Sequence, residues 1–159
     1  MMTVSLICVG KLKEKYWRDA CAEYEKRLAA FCRFRIVELP ESRLPDNPSA
    51  AQIESALAEE GKKILDTAGN AYLAALCIEG KELSSEELAA SLQTLSVQGT
   101  SSFAFCIGSS FGLSPEVKQA ARMRLSFSRM TFPHQLARVM LCEQLYRAFQ
   151  INTNGKYHK

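Results

Sequence analysis

Residues Ser102–Val117 read SFAFCIGSSFGLSPEV. The aromatic and β-branched run through Ile107 suits a pleated strand, and it stops at Gly108. After a glycine-flanked turn, Ser114 followed by Pro115 marks a helix start, because a serine side chain caps free amides and proline suits the first helical position. A strand that turns directly into a capped helix is one step of an alternating α/β chain. In such sheets ligands bind beyond the carboxyl ends of the strands, where Gly108 and Gly112 stand. Glycine there lets backbone approach a ligand closely, although a tight turn alone would also account for it.

Outward from this unit the alternation continues in both directions. TVSLICVG (residues 3–10) is a buried strand ending at Gly10, and Trp17, Cys21, Tyr24, Leu28 and Phe31 then recur at helical steps. RFRIVELP returns to strand character before the proline-rich loop PESRLPDNPS, and a second helix runs from about Ser49 with Ile53, Leu57, Ile64 and Leu65 as its apolar face. AYLAALCIEG (71–80) is apolar enough for a central strand covered on both faces. LSSEELAASLQTL opens with a capping box between Ser84 and Glu87. RLSFSRM holds a last short strand, and Pro133 to Ile151 a final helix. The expectation is an α/β fold, a mostly parallel sheet flanked by helices, forming a single domain over residues 1–159.

With 47% hydrophobic and 23% charged residues, the composition is that of a globular protein. No apolar run is long enough to cross a bilayer, and MMTVSLICVGKL lacks the basic start and cleavage site of a signal peptide, so a cytoplasmic protein without membrane contact is expected. Six cysteines include no CxxC pair, and His134 and His158 are far apart, so no metal site is expected. Cys142 stands eight residues from His134, over two helical turns, which favours a core thiol over a nucleophile. From Lys118 onward eight lysines and arginines face only one acid, Glu143, a balance suited to phosphate. Neither GxGxxG nor a Walker loop is present. His134, in the first turn of the last helix, is placed to accept a proton or bond a ligand. The terminal NGKYHK sets Tyr157 and His158 where chains usually fray, so these groups are expected to dock.

FCIGSSFGLSPEV, LSFSRMTFPHQLARVMLCEQLYRAFQI and the terminal YHK, with VGKLKEKYW and YEKRL near the start, together resemble the ribosomal large-subunit methyltransferase H family of the SPOUT class. The likeness spans essentially the whole chain. It implies an SPOUT-type domain with a C-terminal trefoil knot, an exception to the rule against threaded chains. It also implies a homodimer that transfers methyl from S-adenosylmethionine to N3 of a pseudouridine in 23S rRNA of the assembled ribosome, with no role for DNA. The positions matching the family's donor site are Leu76, Gly108, Phe127, Ser128, Arg129, Met130, Thr131 and Phe132.

On that reading Tyr157 and His158 fold over the active site of the partner subunit and order the uridine ring, with His158 or a nearby arginine favouring the N3 anion. Arg129, Arg138 and Lys159 would contact phosphates. One departure stands out: the family usually carries two glycines after the isoleucine, and here Gly108 is followed by Ser109. A required positive φ would strain the serine, whereas a merely close approach would alter the donor contact. The rival readings are an inactive ribosome-binding module of the same fold and an SPOUT enzyme acting on tRNA.

Overall fold

The computed structural model describes residues 1–159. Five strands, β1 (Thr3–Val9), β2 (Arg33–Leu39), β3 (Tyr72–Glu82), β4 (Ser102–Ile107) and β5 (Met123–Ser126), alternate with five helices. These are α1 (Lys15–Leu28), α2 (Ala50–Ala68), α3 (Ser85–Val97), α4 (Pro115–Ala120) and α5 (His134–Asn152). All strand pairs are parallel, in the order β2-β1-β4-β3-β5.

The apolar alternation within each strand sends residues to two separate cores. Val4, Leu6 and Cys8 of β1 and Phe103, Phe105 and Ile107 of β4 pack with α1, α3 and α5 on one face. Ile7, Val9, Ala104 and Cys106 pack with α2 and α4 on the other. Fully burying a Phe103 or an Ile7 stabilises by roughly 1.5–3 kcal/mol, so both faces contribute to the one domain. Such a sheet hides the flanks of its central strands and leaves the strand ends open, which is where a site can form.

Local signals set the helix starts as expected. Ser84 accepts from the Glu87 amide at 3.0 Å while the Glu87 carboxylate accepts from the Ser84 amide at 2.9 Å. Ser114 accepts from the Val117 amide at 3.2 Å, with Pro115 in the first helical position. Two apolar stripes differ from the sequence reading. The first helix ends at Leu28, so Phe31 lies beyond it and stacks on Phe149 at 5.7 Å. In α2, Ile53, Leu57 and Leu65 are only half-buried, and the deep face is Ala56, Glu60, Gly61 and Ile64. The reason is close approach: a Cβ on Gly61 would sit 2.4 Å from the Ser114 hydroxyl, so α2 packs on the α4 entry through its smallest residue.

The last helix has no exposed side. None of the residues His134–Asn152 is fully exposed, and Leu136, Val139 and Met140 stay half-buried. No helix in the chain is long and apolar enough to cross a membrane.

Candidate active site

A cavity of about 690 Å³ opens at the carboxyl ends of β3, β4 and β5. That size lies within the roughly 300–1,000 Å³ of small-molecule sites. Three segments build it, and each owes its shape to local chemistry.

The first is the end of β3. Its pairing with β5 jumps between Leu76 and Lys81, so Cys77–Gly80 bulge out of the sheet and Leu76, Cys77, Ile78 and Glu79 line the cavity. Gly80 makes the bulge possible: a Cβ there would lie 2.7 Å from the Leu125 backbone. The second is the turn after β4. Gly112 has φ +87°, its amide donates to the Ser109 carbonyl at 2.8 Å, and a Cβ on Gly108 would meet the Gly112 oxygen at 2.1 Å. Ile107–Leu113 thereby curl tightly over the strand end. The third is the segment after β5, where the Ser126 hydroxyl donates to the Ser128 carbonyl and the Ser128 hydroxyl accepts from the Met130 amide, both at 3.0 Å. These short bonds fold Phe127–Phe132 back over the cavity.

The expected donor positions Leu76, Gly108, Phe127, Ser128, Met130, Thr131 and Phe132 all line this space, and so does His134. Arg129 does not; it is exposed on the outer side of the same segment. Tyr157, His158 and Lys159 are also outside the lining. Instead Tyr157 donates to Glu143 Oε1 at 3.2 Å and lies edge-on to Tyr146. His158 bridges Arg147 at Nδ1 (3.0 Å) and Glu86 at Nε2 (2.6 Å), so with the guanidinium as donor Nε2 carries the hydrogen that Glu86 accepts. That bond is the main reason the Glu86 carboxyl is held below its ordinary value. The tail thus docks, as its residues suggested, but on α3 and α5 of its own chain. Burial first, then hydrogen bonding with Tyr24 and the charge of Glu143, pushes the Tyr157 hydroxyl up to about 12, which suits a donor and not a base.

One expectation is corrected outright. Arg138, expected to contact phosphate, is 2% exposed: its Nη1 pairs with Glu38 at 2.6 Å and its Nη2 donates to the Gly10 carbonyl at 3.2 Å. A guanidinium so enclosed has no face left for RNA. Five of the six cysteines are buried, with burial pushing Cys8 and Cys106 to about 12, while Cys77 is half-buried at the cavity. Cys142 is likewise raised, chiefly by its hydrogen bond with Cys21 and then by burial.

Sequence reasoning missed several lining residues. Ile78 and Phe111 stand at the cavity with 49% and 46% exposure, and with the expected Met130 at 73% they are three of the few large apolar side chains left open on the protein. Glu79, its carboxyl held low by the ammonium of Lys118, supplies the one acidic group of the lining. Gly80 was the available signal, since a glycine inside a strand pattern points to a bulge. Ser109 is 7% exposed and has no positive φ, so its side chain fits without backbone strain. Beside it lies a buried carboxylate, Glu60, which accepts from the Ser42 amide at 2.9 Å and leaves Oε1 without a hydrogen-bond partner. Burial raises its pKa, with the Ser42 amide and Ser109 hydroxyl opposing and the charges of Glu41 and Glu59 adding to the rise.

Comparison with known proteins agrees with this geometry. A family model described as "Predicted SPOUT methyltransferase" matches residues 2–158. Proteins named ribosomal RNA large subunit methyltransferase H from Ligilactobacillus salivarius and Clostridioides difficile are each 50% identical over 159 residues, covering 99% of this chain and all of theirs. In fold, the chain is similar to a probable methylase family protein from Haemophilus influenzae (TM-score 0.56, 15% identity, covering 98% of this chain and 70% of that one). It is also similar to a tRNA (m1G37) methyltransferase from Aquifex aeolicus (TM-score 0.53, 10% identity, covering 91% and 69%). With a full-length family match, half-identical relatives of the same length, and a cavity at the strand ends of a parallel α/β sheet, the chain belongs to the SPOUT methyltransferase family.

Proposed function

We propose that this protein transfers a methyl group from S-adenosylmethionine to N3 of a pseudouridine in 23S rRNA of the assembled ribosome, acting as a homodimer with a knotted C-terminal segment. The observation that carries the reading is the convergence of seven donor positions, drawn from three separate stretches of chain, around one cavity. The lining fits the donor chemically. Leu76, Ile107, Leu113 and Phe132 offer an apolar lining for a flat base, and serine hydroxyls and turn amides offer polar contacts. When bound, the donor supplies an electrophilic methyl.

The remaining work falls to the protein. Phe127–Phe132 and the Gly108–Gly112 turn hold their positions through their own hydrogen bonds, so the two reactants meet in a preset geometry, which is where much of the acceleration arises. N3 of a pseudouridine carries a proton at neutral pH, and a positioned base or fixed positive charge must favour its loss. His134 is the histidine at the cavity of its own chain. Tyr157 and His158 serve the cavity of a second copy, ordering the uridine ring, while Arg147 fixes His158 and adds positive charge. Arg129 and Lys159, both exposed, are free to meet phosphate. Support for the second copy comes from α5, whose apolar Leu136, Val139 and Met140 are only half-buried within the chain.

The inactive-module reading loses one of its two grounds, because Ser109 has no positive φ and carries no backbone strain. The test is transfer of labelled methyl to ribosomes lacking the modification, with free 23S rRNA and tRNA alongside. Incorporation at one pseudouridine of intact ribosomes is expected. Labelling of tRNA, or none from a protein that binds the donor, would overturn the reading.

A further inference from the structure

The connection between β1 and α1 has no part in the reaction described above, yet it is unusually well held. Gly10, at φ +98°, donates to the Leu39 carbonyl at 2.8 Å and accepts from Arg138. Leu12 is 8% exposed, and its amide donates to Glu38 at 3.1 Å. From α1, the Arg18 guanidinium turns back to donate to the carbonyls of Leu12 and Lys13. Three elements therefore fix this backbone.

Two of its side chains stay in solvent. Lys11 and Lys13 are exposed and form no ion pair, while the neighbouring Lys15 takes Asp19 at 2.8 Å and leaves Glu14 as a free acid nearby. Tyr16 is 64% exposed in the first turn of α1, its ring set edge-on to Trp17 at 5.0 Å. A large aromatic left open beside two ammonium groups that form no ion pair, on an immobilised backbone with Glu14 and Glu41 as its acids, matches the pairing used for single-stranded nucleic acid: cations for phosphates, a ring for a base.

The location also fits. β1 pairs in parallel with β4, so its carboxyl end opens on the edge where Ile107–Leu113 line the cavity. Arg138, which grips the loop, directly follows the lining residue Ala137. We propose that the β1–α1 loop is an RNA-docking surface for the substrate strand leading into the cavity, with Lys11 and Lys13 on its phosphates and Tyr16 stacked on an unpaired base. This rests on the rRNA-methylation reading above. The loop adds affinity and register without touching the reacting atoms, so its loss appears in KM and not in turnover.

The experiment compares wild type with the double variant Lys11→Gln/Lys13→Gln, and with Tyr16→Ala and Tyr16→Trp, for methylation of ribosomes between 50 and 200 mM salt. Donor affinity and melting temperature are measured alongside. Binding of each protein to ribosomes and to a labelled rRNA stem-loop is measured separately, so a chemically silent protein still gives an answer. Removing both charges is expected to raise KM about 10-fold, leave kcat and donor affinity within about twofold, and flatten the salt dependence by about two phosphate contacts. Tyr16→Ala raises KM and Tyr16→Trp restores it. Unchanged KM, RNA affinity and salt slope in the charge variant would overturn the proposal. So would a variant that loses ribosome affinity while binding the stem-loop as wild type does, which would assign the loop to a ribosomal protein. Wild type that binds RNA through these lysines yet methylates no ribosome would sink the function proposed above and leave the docking surface standing.

Discussion

Arg138 and Arg147 sit on the same helix, nine positions apart, and do opposite work. Arg138 has a side chain 3% exposed, locked to Glu38 and to the Gly10 carbonyl, with its Nε left unpartnered. Arg147, 24% exposed, shares Glu143, reaches His158 Nδ1 and lies 4.7 Å from the centre of the Tyr157 ring. One guanidinium ties the final helix to the second strand and to the turn after the first; the other holds the chain's last residues. A charge count sees two equal contributions to a basic tail, whereas only a charge that can still meet solvent is available to a partner.

The tail end of this comparison carries the largest expected effect. Deleting residues 157–159 should lower methyl transfer at least about 100-fold, the low end for losing proton-transfer assistance, with donor affinity within twofold. Donor affinity falling in step with activity would show that the tail shapes the cavity and would collapse the distinction. Next comes the fold end. Arg138→Met leaves a partly buried Glu38 without its cation and should cost roughly 3 kcal/mol in urea unfolding, while Arg147→Met, whose partner Glu143 keeps the Gln144 and Tyr157 donors, should cost about 1 kcal/mol. Adding Glu38→Gln to Arg138→Met should recover part of the loss. Equal costs for the two arginines would erase the contrast.

Much of this was legible in local sequence signals because the physics is local. The caps at Ser84 and Ser114 act within three residues, and the parallel sheet follows from apolar runs separated by helices. The cavity lining was legible through resemblance and not through spacing, since its segments meet only after folding. Arg138 was misread for the same reason: its partners Glu38 and Gly10 lie 100 or more positions away. Glu60 was missed because a carboxylate facing the core, hidden under Ser42 and beside the Ser109 turn, resembles any other charge on an amphipathic helix.

That carboxylate gives a smaller, pH-dependent test of the fold-serving class. Because burial raises its pKa in the folded state above the ordinary value near 4.5, the charged form is disfavoured by folding. The stabilisation belongs to the protonated form, is fully present below pH 4.5, and is lost as pH rises through the raised folded value. Glu60→Gln, which cannot ionise and can still accept from Ser42, should melt higher than wild type at pH 7 to 8. The gap should close as pH falls toward 4.5. A gap independent of pH would mean that Glu60 is charged in the fold without penalty.

Ser109→Gly should have the smallest effect and asks on which side of the contrast a residue at the cavity's edge falls. The serine lines the cavity, yet it is 7% exposed, without positive φ, and its carbonyl accepts from Gly112 in the turn. Replacing it by glycine removes a hydroxyl beside Glu60 and frees the unfolded chain, costing about 0.5–1 kcal/mol of stability. Donor affinity, measured by calorimetry, should stay within about twofold, because the turn that faces the donor is set by Gly108 and Gly112 and not by this side chain. A tenfold gain in affinity would instead make Ser109 an obstruction in the cavity, placing it with the tail among the residues that set activity and leaving Arg138 and Glu60 on the side of the fold.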